Sequence, residues 1–295
     1  MSKITVFTPT YNRAYIINNL YQSLKRQTYQ DFEWVVIDDG STDETESLFS
    51  RFQNDDKKFN IKYKKVENAG KHRAINKGLS MAEGELFYIV DSDDYLTDDA
   101  LETIMKTEKT IPKNEKHCFA GVCGLKAYST SIYVGSTFHG AEYLDITSLQ
   151  RDENQISGDK AEVFYTEILR KYPFPEFDGE KFLSECIVWD RIAKDGYKLR
   201  FFNKIVYICD YLQDGLSTNC SIHFQNSPKG YALLITQSIE YGKAKGLKKW
   251  EMRRDYYNQF VGRIKTSQIA KNLKMSRFML HTKFFIMRLF YIIYR

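Results

Sequence analysis

The first hundred residues alternate short apolar runs with amphipathic stretches, and this alternation limits the possible folds more than any other feature. Four apolar runs predict strands, at residues 4–8, 34–37, 61–66 and 86–90. Residues 15–25 and 71–81 have the pattern of helices. Alternating strands and helices form parallel sheets with right-handed crossovers. We therefore expect an α/β fold in which helices flank a mostly parallel central sheet.

Compact polar clusters follow three of the predicted strands, at residues 9–13, 38–40 and 91–94. In open parallel sheets, ligands bind beyond the C-terminal ends of the strands. The clusters therefore predict one binding site at that edge of the sheet. Pro9 is predicted to end the first strand, and residues 41–44 have the pattern of a capping box that opens the next helix.

Asp91-Ser92-Asp93 places two carboxylates one residue apart at the end of an apolar strand. Like charges in a partly buried site repel each other, and a hard divalent ion bound with substrate phosphates relieves this repulsion. The pattern favours Mg²⁺ or Mn²⁺. The alternative is that Asp93 or Asp94 caps a helix that begins near Thr97.

Two further segments have the chemistry of nucleotide binding. Asp38 and Asp39 end the second strand, where an acid can accept hydrogen bonds from a base or ribose, although Asp-Gly also favours a simple turn. Residues 68–76 form a glycine turn into a basic helix start, which attracts phosphate. No P-loop and no GxGxxG sequence is present, which argues against NTPases and nicotinamide enzymes.

Charge is distributed unevenly along the chain. Residues 243–295 contain 14 Lys or Arg and two acids, a formal +12, which leaves −7 for residues 1–242 because the whole chain carries +5. The basic segment indicates an anionic partner surface. The five scattered cysteines lack CxxC spacing, and Met1 leads directly into a strand pattern without a signal peptide. We expect a protein of the reducing cytoplasm that does not bind nucleic acid.

Taken together, residues 7–13, 36–43, 68–78 and 91–94 resemble the family 2 glycosyltransferases, inverting enzymes of the Rossmann-like GT-A fold. The resemblance covers about the first hundred residues in the family's order and spacing. It implies a donor site, with Asp39 at the uracil, Asp91 at the donor and Asp93 on the metal. The complete set of predicted donor-binding residues is Pro9, Tyr11, Arg13, Asp38, Asp39, Asn68, Gly70, Lys71, Arg73, Asp91 and Ser92.

The family's acceptor half usually carries a Glu-Asp pair before a helix that ends in an Arg-x-x-x-x-Gly pattern. Arg191 and Gly196 match that ending, which places Glu185 as the expected general base and Asp190 as the alternative. His223 follows residues 214–217, where some relatives place a loop over the donor. The resemblance makes His223 a candidate ligand of the metal or the diphosphate.

The resemblance implies a single in-line displacement that needs no covalent enzyme intermediate. Glu185 would deprotonate the acceptor hydroxyl, and the metal at Asp93 would stabilise the departing diphosphate. The donor is expected to be a UDP-sugar, with dTDP and GDP sugars as alternatives, and the acceptor a saccharide. Bacterial capsule or O-antigen synthesis is the expected setting.

Residues 1–228 are predicted to form the catalytic domain, with a nucleotide-sugar half at 1–100 and an acceptor half at 101–228. Residues 229–295 are predicted to be a basic, helical extension. Its last part, residues 276–295, is aromatic and basic but too charged for a confident membrane span. We expect peripheral contact with an anionic membrane, which suits a lipid-linked acceptor. The alternative is packing against the body or a second subunit.

Two other functions remain open at this level. A nucleotidyltransferase also combines an α/β sheet with paired acids and a metal, but it usually has a glycine-rich basic loop where this chain has residues 8–12. A non-catalytic sugar-nucleotide binding module that docks a partner at the membrane is the second alternative. The acids Asp91, Asp93 and Glu185 argue against it.

Overall fold

The computed structural model describes residues 3–209, 212–213, 215 and 218–280. The predictions for residues 281–295, and those for three residues of the 214–217 segment, lie outside the described residues. The chain folds into two compact units. Unit 1 comprises Met1–Pro175 and Val188–Thr218, and unit 2 comprises Glu176–Ile187 and Asn219–Arg295. The predicted division near residue 228 stays a prediction.

Nine strands in the described part of unit 1 form one mixed sheet. Their bounds are β1 Ile4–Thr10, β2 Phe32–Asp38, β3 Asn60–Lys65, β4 Leu86–Ile89, β5 Tyr95–Leu96, β6 Phe119–Ala127, β7 Tyr143–Ile146, β8 Lys160–Tyr165 and β9 Lys198–Ile208. The strand order is β3-β2-β1-β4-β8-β6-β9-β5, and β7 also pairs with β9. The strands β3, β2, β1 and β4 are parallel, whereas β8 is antiparallel to both β4 and β6.

The described part of the chain contains ten α-helices. In unit 1 and across its boundary they are α1 Asn18–Lys25, α2 Thr45–Asn54, α3 Lys71–Met81, α4 Ala100–Lys109, α5 Thr166–Arg170 and α6 Cys186–Lys194. In unit 2 they are α7 Cys220–Gln225, α8 Pro228–Glu240, α9 Gly246–Phe260 and α10 Thr266–Asn272. Among the described residues, no helix combines the length and apolar character needed to cross a bilayer.

Strands β1 and β2 are buried along their whole length, which explains their continuous apolar runs. On one face Trp34 packs within an aromatic cluster, in which Tyr21 stacks on Phe52 with ring centroids 3.9 Å apart. On the other, α3 lies so close to β1 that a Cβ on Gly78 would come within 2.0 Å of the Phe7 ring. This close packing fixes the start of α3 at the C-terminal edge of the sheet.

Unit 2 has an apolar core of its own. Side chains from α8, α9, α10 and the residues that follow α10 form a buried cluster whose members are Ala232, Ile235, Tyr256, Phe260, Ile269, Leu273 and Leu280. The Tyr256 hydroxyl donates to the Pro228 carbonyl oxygen at 2.9 Å and accepts from Asn272 at 2.8 Å, so the one polar group of this core is satisfied. The predicted helical character of residues 230–272 is confirmed.

Two local predictions are wrong. β1 continues through Pro9 to Thr10, because its pairing with β4 ends at Phe7 and Pro9 is paired on the β2 side only. Residues 41–44 do not form a capping box. Ser41 Oγ accepts the Asn12 N–H, Asp43 accepts the Thr45 N–H at 3.1 Å, and α2 begins at Thr45.

Candidate active site

The loops that follow β1 and β2 are hydrogen-bonded to each other. The Asn12 N–H donates to Ser41 Oγ at 2.9 Å, and Asn12 Oδ1 accepts from the Thr42 N–H at 2.8 Å. The Ala14 N–H donates to Asp43 Oδ2 at 3.0 Å. Asn12 has φ 52°, a left-handed conformation that asparagine adopts more readily than most residues. The predicted polar clusters that follow β1 and β2 therefore belong to two loops that are joined by hydrogen bonds at the C-terminal edge of the sheet.

Asp39 fastens the start of α3 to the end of β2. Its two carboxylate oxygens accept the Ala69 N–H at 2.7 Å and the Gly70 N–H at 2.9 Å. The Asn68 amide donates to the Asp39 carbonyl oxygen at 2.8 Å, and Gly70 has φ 101°, which glycine adopts without strain. Asp39 is only 7% exposed. In this structure it positions the loop, and its contact with a nucleobase stays a prediction.

Asp38 is fully buried in this structure, and its predicted contact with the donor stays a prediction. Its Oδ1 accepts the Ser41 N–H at 2.7 Å, and its Oδ2 accepts the Tyr63 hydroxyl. Burial, together with this hydrogen bond to Asp38, raises the pKa of Tyr63. A side chain without exposed surface cannot contact a ligand unless the fold rearranges. Asp38 therefore holds the turn and β3.

Two ion pairs bring the predicted diphosphate and metal residues together in unit 1. Lys71 Nζ, at the start of α3, lies 2.6 Å from Asp91 Oδ1. Arg13 Nη2, from the loop after β1, lies 3.8 Å from Asp93 Oδ2. All four side chains are partly buried, where water and salt screen charge less than at an open surface. The structure thus places three strand ends around one cluster of opposite charges.

Tyr207 on β9 braces the carboxylate loop from the other half of the sheet. Its hydroxyl accepts the Asp91 N–H at 2.9 Å and donates to Asp94 Oδ2 at 2.6 Å. Lys126 on β6 lies over the Tyr207 ring, with Nζ 4.1 Å from the centroid. Asp94 is therefore part of this brace. Neither Asp93 nor Asp94 caps α4, which begins at Ala100 after Asp99.

The carboxylates of this loop have perturbed pKa values. Burial and the neighbouring charge of Asp91 raise the pKa of Asp93, and the same two causes raise the pKa of Asp94 to about 7. Burial also acts to raise the pKa of Asp91, but the charges of Lys71 and Lys126 outweigh it, so this pKa is lowered. The loop thus holds one stabilised anion and two carboxyl groups whose ionisation is disfavoured.

The other predicted donor residues have varied surroundings. Tyr11 is 47% exposed, whereas Pro9 and Ser92 are buried. Arg73 Nη1 donates to the Ala69 carbonyl oxygen at 2.7 Å, so this guanidinium supports the loop before α3. Of these residues, Tyr11 offers the largest open surface to a ligand.

The predicted acceptor and metal residues of the second half belong to both units. Glu185 is half-buried, directly precedes α6 and belongs to unit 2. Asp190 lies within α6, is only 2% exposed and belongs to unit 1. His223 is on α7, where its ring stacks on Phe182 with centroids 5.3 Å apart, and burial lowers its pKa. The roles of these three residues stay predictions.

A family model described as "Glycosyl transferase family 2" matches residues 5–156, which is more than half of the chain. The chain belongs to this family. The protein is therefore a glycosyltransferase, and the resemblance noted in its N-terminal motifs is confirmed.

One relative of this glycosyltransferase is similar along most of its length. It is the GalNAc(5)-diNAcBac-PP-undecaprenol beta-1,3-glucosyltransferase of Campylobacter jejuni, 27% identical over 260 residues, which cover 84% of this chain and 79% of the relative. The poly(ribitol-phosphate) beta-N-acetylglucosaminyltransferase TarS of Staphylococcus aureus is 39% identical over 106 residues, which cover 35% of this chain and 18% of TarS. The second similarity is thus confined to about a third of the chain.

Solved structures of other transferases share the fold. TarS of S. aureus in complex with UDP-GlcNAc has a TM-score of 0.59 at 23% identity, with 88% of this chain and 73% of that chain covered. A mannosyltransferase of Pyrobaculum calidifontis in complex with GDP-Man and Mn²⁺ has a TM-score of 0.55 at 20% identity, with 92% and 72% covered. The predicted fold class, a GT-A fold, is confirmed.

The glycosyltransferase has site residues that the sequence did not reveal. Lys126 and Tyr207 lie more than thirty residues beyond Asp94, where the last of the N-terminal motifs ends, in segments that look like ordinary strands. Only the pairing of β6 with β9, which sets Lys126 beside Tyr207, brings them together at the Asp91 loop. A polar residue within the apolar run 119–127 was the one available signal.

The carboxylate loop fits a divalent ion that is held jointly with a ligand. Asp91 and Asp93 offer hard oxygen donors, and the pKa of Asp93 is raised in a way that a nearby cation would relieve. Among the described residues, no group of three or more His, Cys, Asp or Glu side chains could hold a metal by itself. This donor set suits Mg²⁺ or Mn²⁺, which commonly take one or two carboxylates plus phosphate oxygens and water.

Proposed function

We propose that this glycosyltransferase moves a sugar from a UDP-sugar to a saccharide acceptor that is carried on a lipid, in the synthesis of a bacterial surface polysaccharide. The acceptor class is supported by the similarity, over 84% of the chain, to a glucosyltransferase whose name includes a PP-undecaprenol substrate. The donor class is supported by the local similarity to TarS, an N-acetylglucosaminyltransferase that was solved with UDP-GlcNAc.

The observation that carries this proposal is the pair of salt bridges at the strand ends. The Lys71 ammonium lies 2.6 Å from Asp91, and the Arg13 guanidinium lies 3.8 Å from Asp93. A diphosphate bound there would meet two cations as well as the start of α3, whose N–H groups favour anions. Tyr11, with its exposed ring, is the proposed stacking partner of the base.

Asp93 is the proposed metal ligand, together with Asp91 and the donor phosphates, and His223 is the proposed additional ligand of the metal or diphosphate. When bound, Mn²⁺ or Mg²⁺ would supply Lewis-acid stabilisation of charge on the leaving diphosphate. Lys71 and Arg13 would stabilise the same charge without a metal–oxygen bond.

Glu185 is the proposed general base that takes the proton of the acceptor hydroxyl. A base must reach its substrate, and Glu185 is half-buried whereas Asp190 is only 2% exposed. The acceptor oxygen then attacks the anomeric carbon as the nucleoside diphosphate departs. The single displacement converts an α-linked donor into a β-linked product.

We place the enzyme on the cytoplasmic side of the membrane, where nucleotide sugars are made and lipid-linked acceptors are presented. Residues 276–295 are the proposed peripheral contact with anionic lipid. The two alternative functions, a nucleotidyltransferase and a non-catalytic binding module, are not favoured by membership of a glycosyltransferase family.

The proposal is tested by the release of nucleoside diphosphate from UDP-, GDP- and dTDP-sugars, with a synthetic polyprenyl-diphosphate saccharide as acceptor. We expect turnover of a UDP-sugar that requires Mn²⁺ or Mg²⁺. Asp93→Asn should lower kcat at least about 100-fold, as expected for lost electrostatic stabilisation of a leaving group. Asp152→Asn, an exposed acid, is the matched control and should be neutral.

Thermal melting with nucleotide and Mn²⁺ separates binding from transfer. Stabilisation by UDP with Mn²⁺ but no turnover with any sugar would favour the binding module. Neither stabilisation nor turnover would contradict the donor site. Turnover that starts only with GDP-sugars would correct the donor class and leave the site intact.

A further inference from the structure

The turn between α8 and α9 in unit 2 carries a basic surface with an apolar tip. We call it the turn patch and define it as Lys243, Lys245, Leu247, Lys248, Lys249 and Trp250. Residues 241–250 contain these four lysines and no acid. Leu247 is 78% exposed, the largest exposed fraction among the large apolar side chains described. The turn patch thus combines an exposed apolar side chain with lysines that precede and follow it in the sequence.

The backbone of this turn is anchored to the core of unit 2. Ala244 is buried, and its N–H donates to the Ser238 carbonyl oxygen at 3.0 Å. Further along α9, Tyr256 and Phe260 belong to the apolar core and Met252 packs against it. Leu247 lies at the start of the same helix without joining that core. The anchored turn therefore presents Leu247 outward in a defined position.

The ring of Trp250 lies close to two cations, Lys249 and Arg253. Lys249 Nζ lies 5.5 Å and the Arg253 guanidinium 5.3 Å from the centre of the Trp250 ring. Burial lowers the pKa of Arg253, and its Nε is buried without a hydrogen bond to any described residue. Tryptophan with neighbouring cations is typical of side chains at the boundary between lipid headgroups and acyl chains.

The stability of unit 2 does not account for this arrangement. Lys245, Lys248 and Lys249 make no ion pair with any residue that the structure describes. Lys248 and Lys249 lie in the first turn of α9, which contains no acid. Cations there are unfavourable for the helix dipole, which prefers Asp or Glu at this end. An external anionic surface is what this charge pattern complements.

We propose that the turn patch docks the enzyme on an anionic bilayer, with the lysines at the lipid headgroups and Leu247 inserted between them. An acidic protein or a polyanion would match the lysines, but the exposed leucine at their centre favours a lipid surface. Residues 1–242 carry a formal −7, so electrostatic attraction to such a surface belongs to the C-terminal segment. The turn patch precedes residues 276–295 in the sequence and shares no residue with them.

The test is co-sedimentation of the full-length protein with vesicles of phosphatidylcholine, alone or mixed with phosphatidylglycerol. The key variant is Lys245→Gln/Lys248→Gln/Lys249→Gln. Its matched control, Lys57→Gln/Lys109→Gln/Lys113→Gln, removes the same charge from two exposed lysines and one half-buried lysine of unit 1, as the key variant does in unit 2. Each lysine near an anionic bilayer contributes roughly a fivefold factor, so the key variant should bind about 100-fold more weakly while the control stays within about fivefold of wild type.

A second variant tests the apolar contact by itself. Leu247→Ser keeps the charge and should weaken binding to the mixed vesicles about tenfold. Rising NaCl should weaken wild-type binding far more than binding of the triple variant. The unfolding temperatures of all variants serve as a check on folding, since every altered side chain is exposed or half-buried.

Two results would overturn the proposal. The first is equal loss in the key and control triples, which would mean that binding depends on overall charge alone. The second is unchanged vesicle binding by both the key triple and Leu247→Ser, which would assign membrane contact to another segment such as residues 276–295. Because the assay contains no donor or acceptor, its outcome is independent of the proposed transfer reaction.

Discussion

Tyr207 is fully buried, yet its hydroxyl makes two hydrogen bonds within the loop that carries the proposed metal ligands. In Tyr207→Phe the Asp91 N–H and the Asp94 carboxyl group would lose their partner, at a cost of about 1–3 kcal/mol in the free energy of unfolding. We also expect the loop to lose its fixed position. The concentration of Mn²⁺ for half-maximal activity should rise at least about tenfold.

A control of the same chemistry separates these two effects. The Tyr165 hydroxyl, also buried, donates to Glu108 Oε1 at 2.9 Å. Tyr165→Phe should lower stability by a similar amount and leave the Mn²⁺ requirement unchanged. If both variants change the Mn²⁺ requirement equally, Tyr207 acts through general stability and has no special role at the loop.

Asp94 predicts a pH dependence of stability. Its pKa is raised to about 7 by burial and by Asp91, from the ordinary value of 3.8. The folded state therefore holds a proton that the unfolded state loses near pH 4, so stability falls as the pH rises from about 4 to about 7. Above pH 7 the ionised Asp94 carboxylate lowers the free energy of unfolding by its full amount, at most about 4 kcal/mol.

Asp94→Asn should remove this penalty because the amide oxygen can still accept the Tyr207 hydroxyl. Measured by urea unfolding with EDTA present, the variant should exceed wild type in stability at pH 8. The two proteins should converge near pH 4, where wild-type Asp94 is protonated in both states. A difference that is the same at both pH values would contradict the assigned cause.

At the scale of elements, the packing of α3 against β1 fixes the position of Lys71 at the start of the helix. Gly78→Ala favours the helix by about 1 kcal/mol through propensity. The new Cβ, however, would lie 2.0 Å from the Phe7 ring, which is fully buried and stacked on Phe87. Overpacking of this kind costs about 1–3 kcal/mol or more, so we expect a net loss of stability.

The Gly78→Ala loss should appear as a lower unfolding temperature together with weaker nucleotide binding, because α3 would shift away from the sheet. Ser80→Ala, at an exposed position of the same helix, is the control and should have little effect. An unfolding temperature equal to that of wild type would mean that Phe7 has room to move.

The sequence predicted those elements whose residues carry their own signal. The sequence places helix α3 at Lys71–Met81 with its correct bounds, and it places the four predicted strands, β1 to β4, within two residues at each end. The end of β1 was predicted wrongly because proline has no N–H to donate in a sheet and was expected to end the strand. The pairing of β1 with β4 ends at Phe7, so Pro9 needs no hydrogen bond on that side and the strand continues to Thr10. The burial of both Asp38 and Asp39 could not be read from the sequence, because it does not report how far the side chains at a strand end turn inward.

The donor cluster was predictable because parallel strands end at one edge, so motifs far apart in sequence meet there. Lys126 and Tyr207 could not be predicted as site residues, because their contact depends on which strands of the second half pair and in which register. A single lysine or tyrosine in a strand carries no such information. Long-range pairing of β6 with β9 is thus the part of the site that sequence alone leaves open.

At the scale of the whole molecule, all nine described strands and the donor cluster belong to unit 1, whereas unit 2 is held together by its own helical core. We therefore expect the two units to respond separately to mutation. Ile235→Ala removes a fully buried side chain from the core of unit 2 and should destabilise that unit by about 2–5 kcal/mol. The affinity for UDP with Mn²⁺ should stay within about twofold of wild type.

Hydrogen exchange distinguishes local from global loss. In Ile235→Ala, amide protection should fall in α8, α9 and α10 and remain in β1, β2 and β4. Val36→Ala, a comparable truncation in β2, should produce the reverse pattern and weaken UDP binding, because Asp38 and Asp39 follow directly on that strand. If either variant lowers protection equally in both units, the molecule unfolds as one cooperative body, and donor affinity would then depend on the helical core as much as on the sheet.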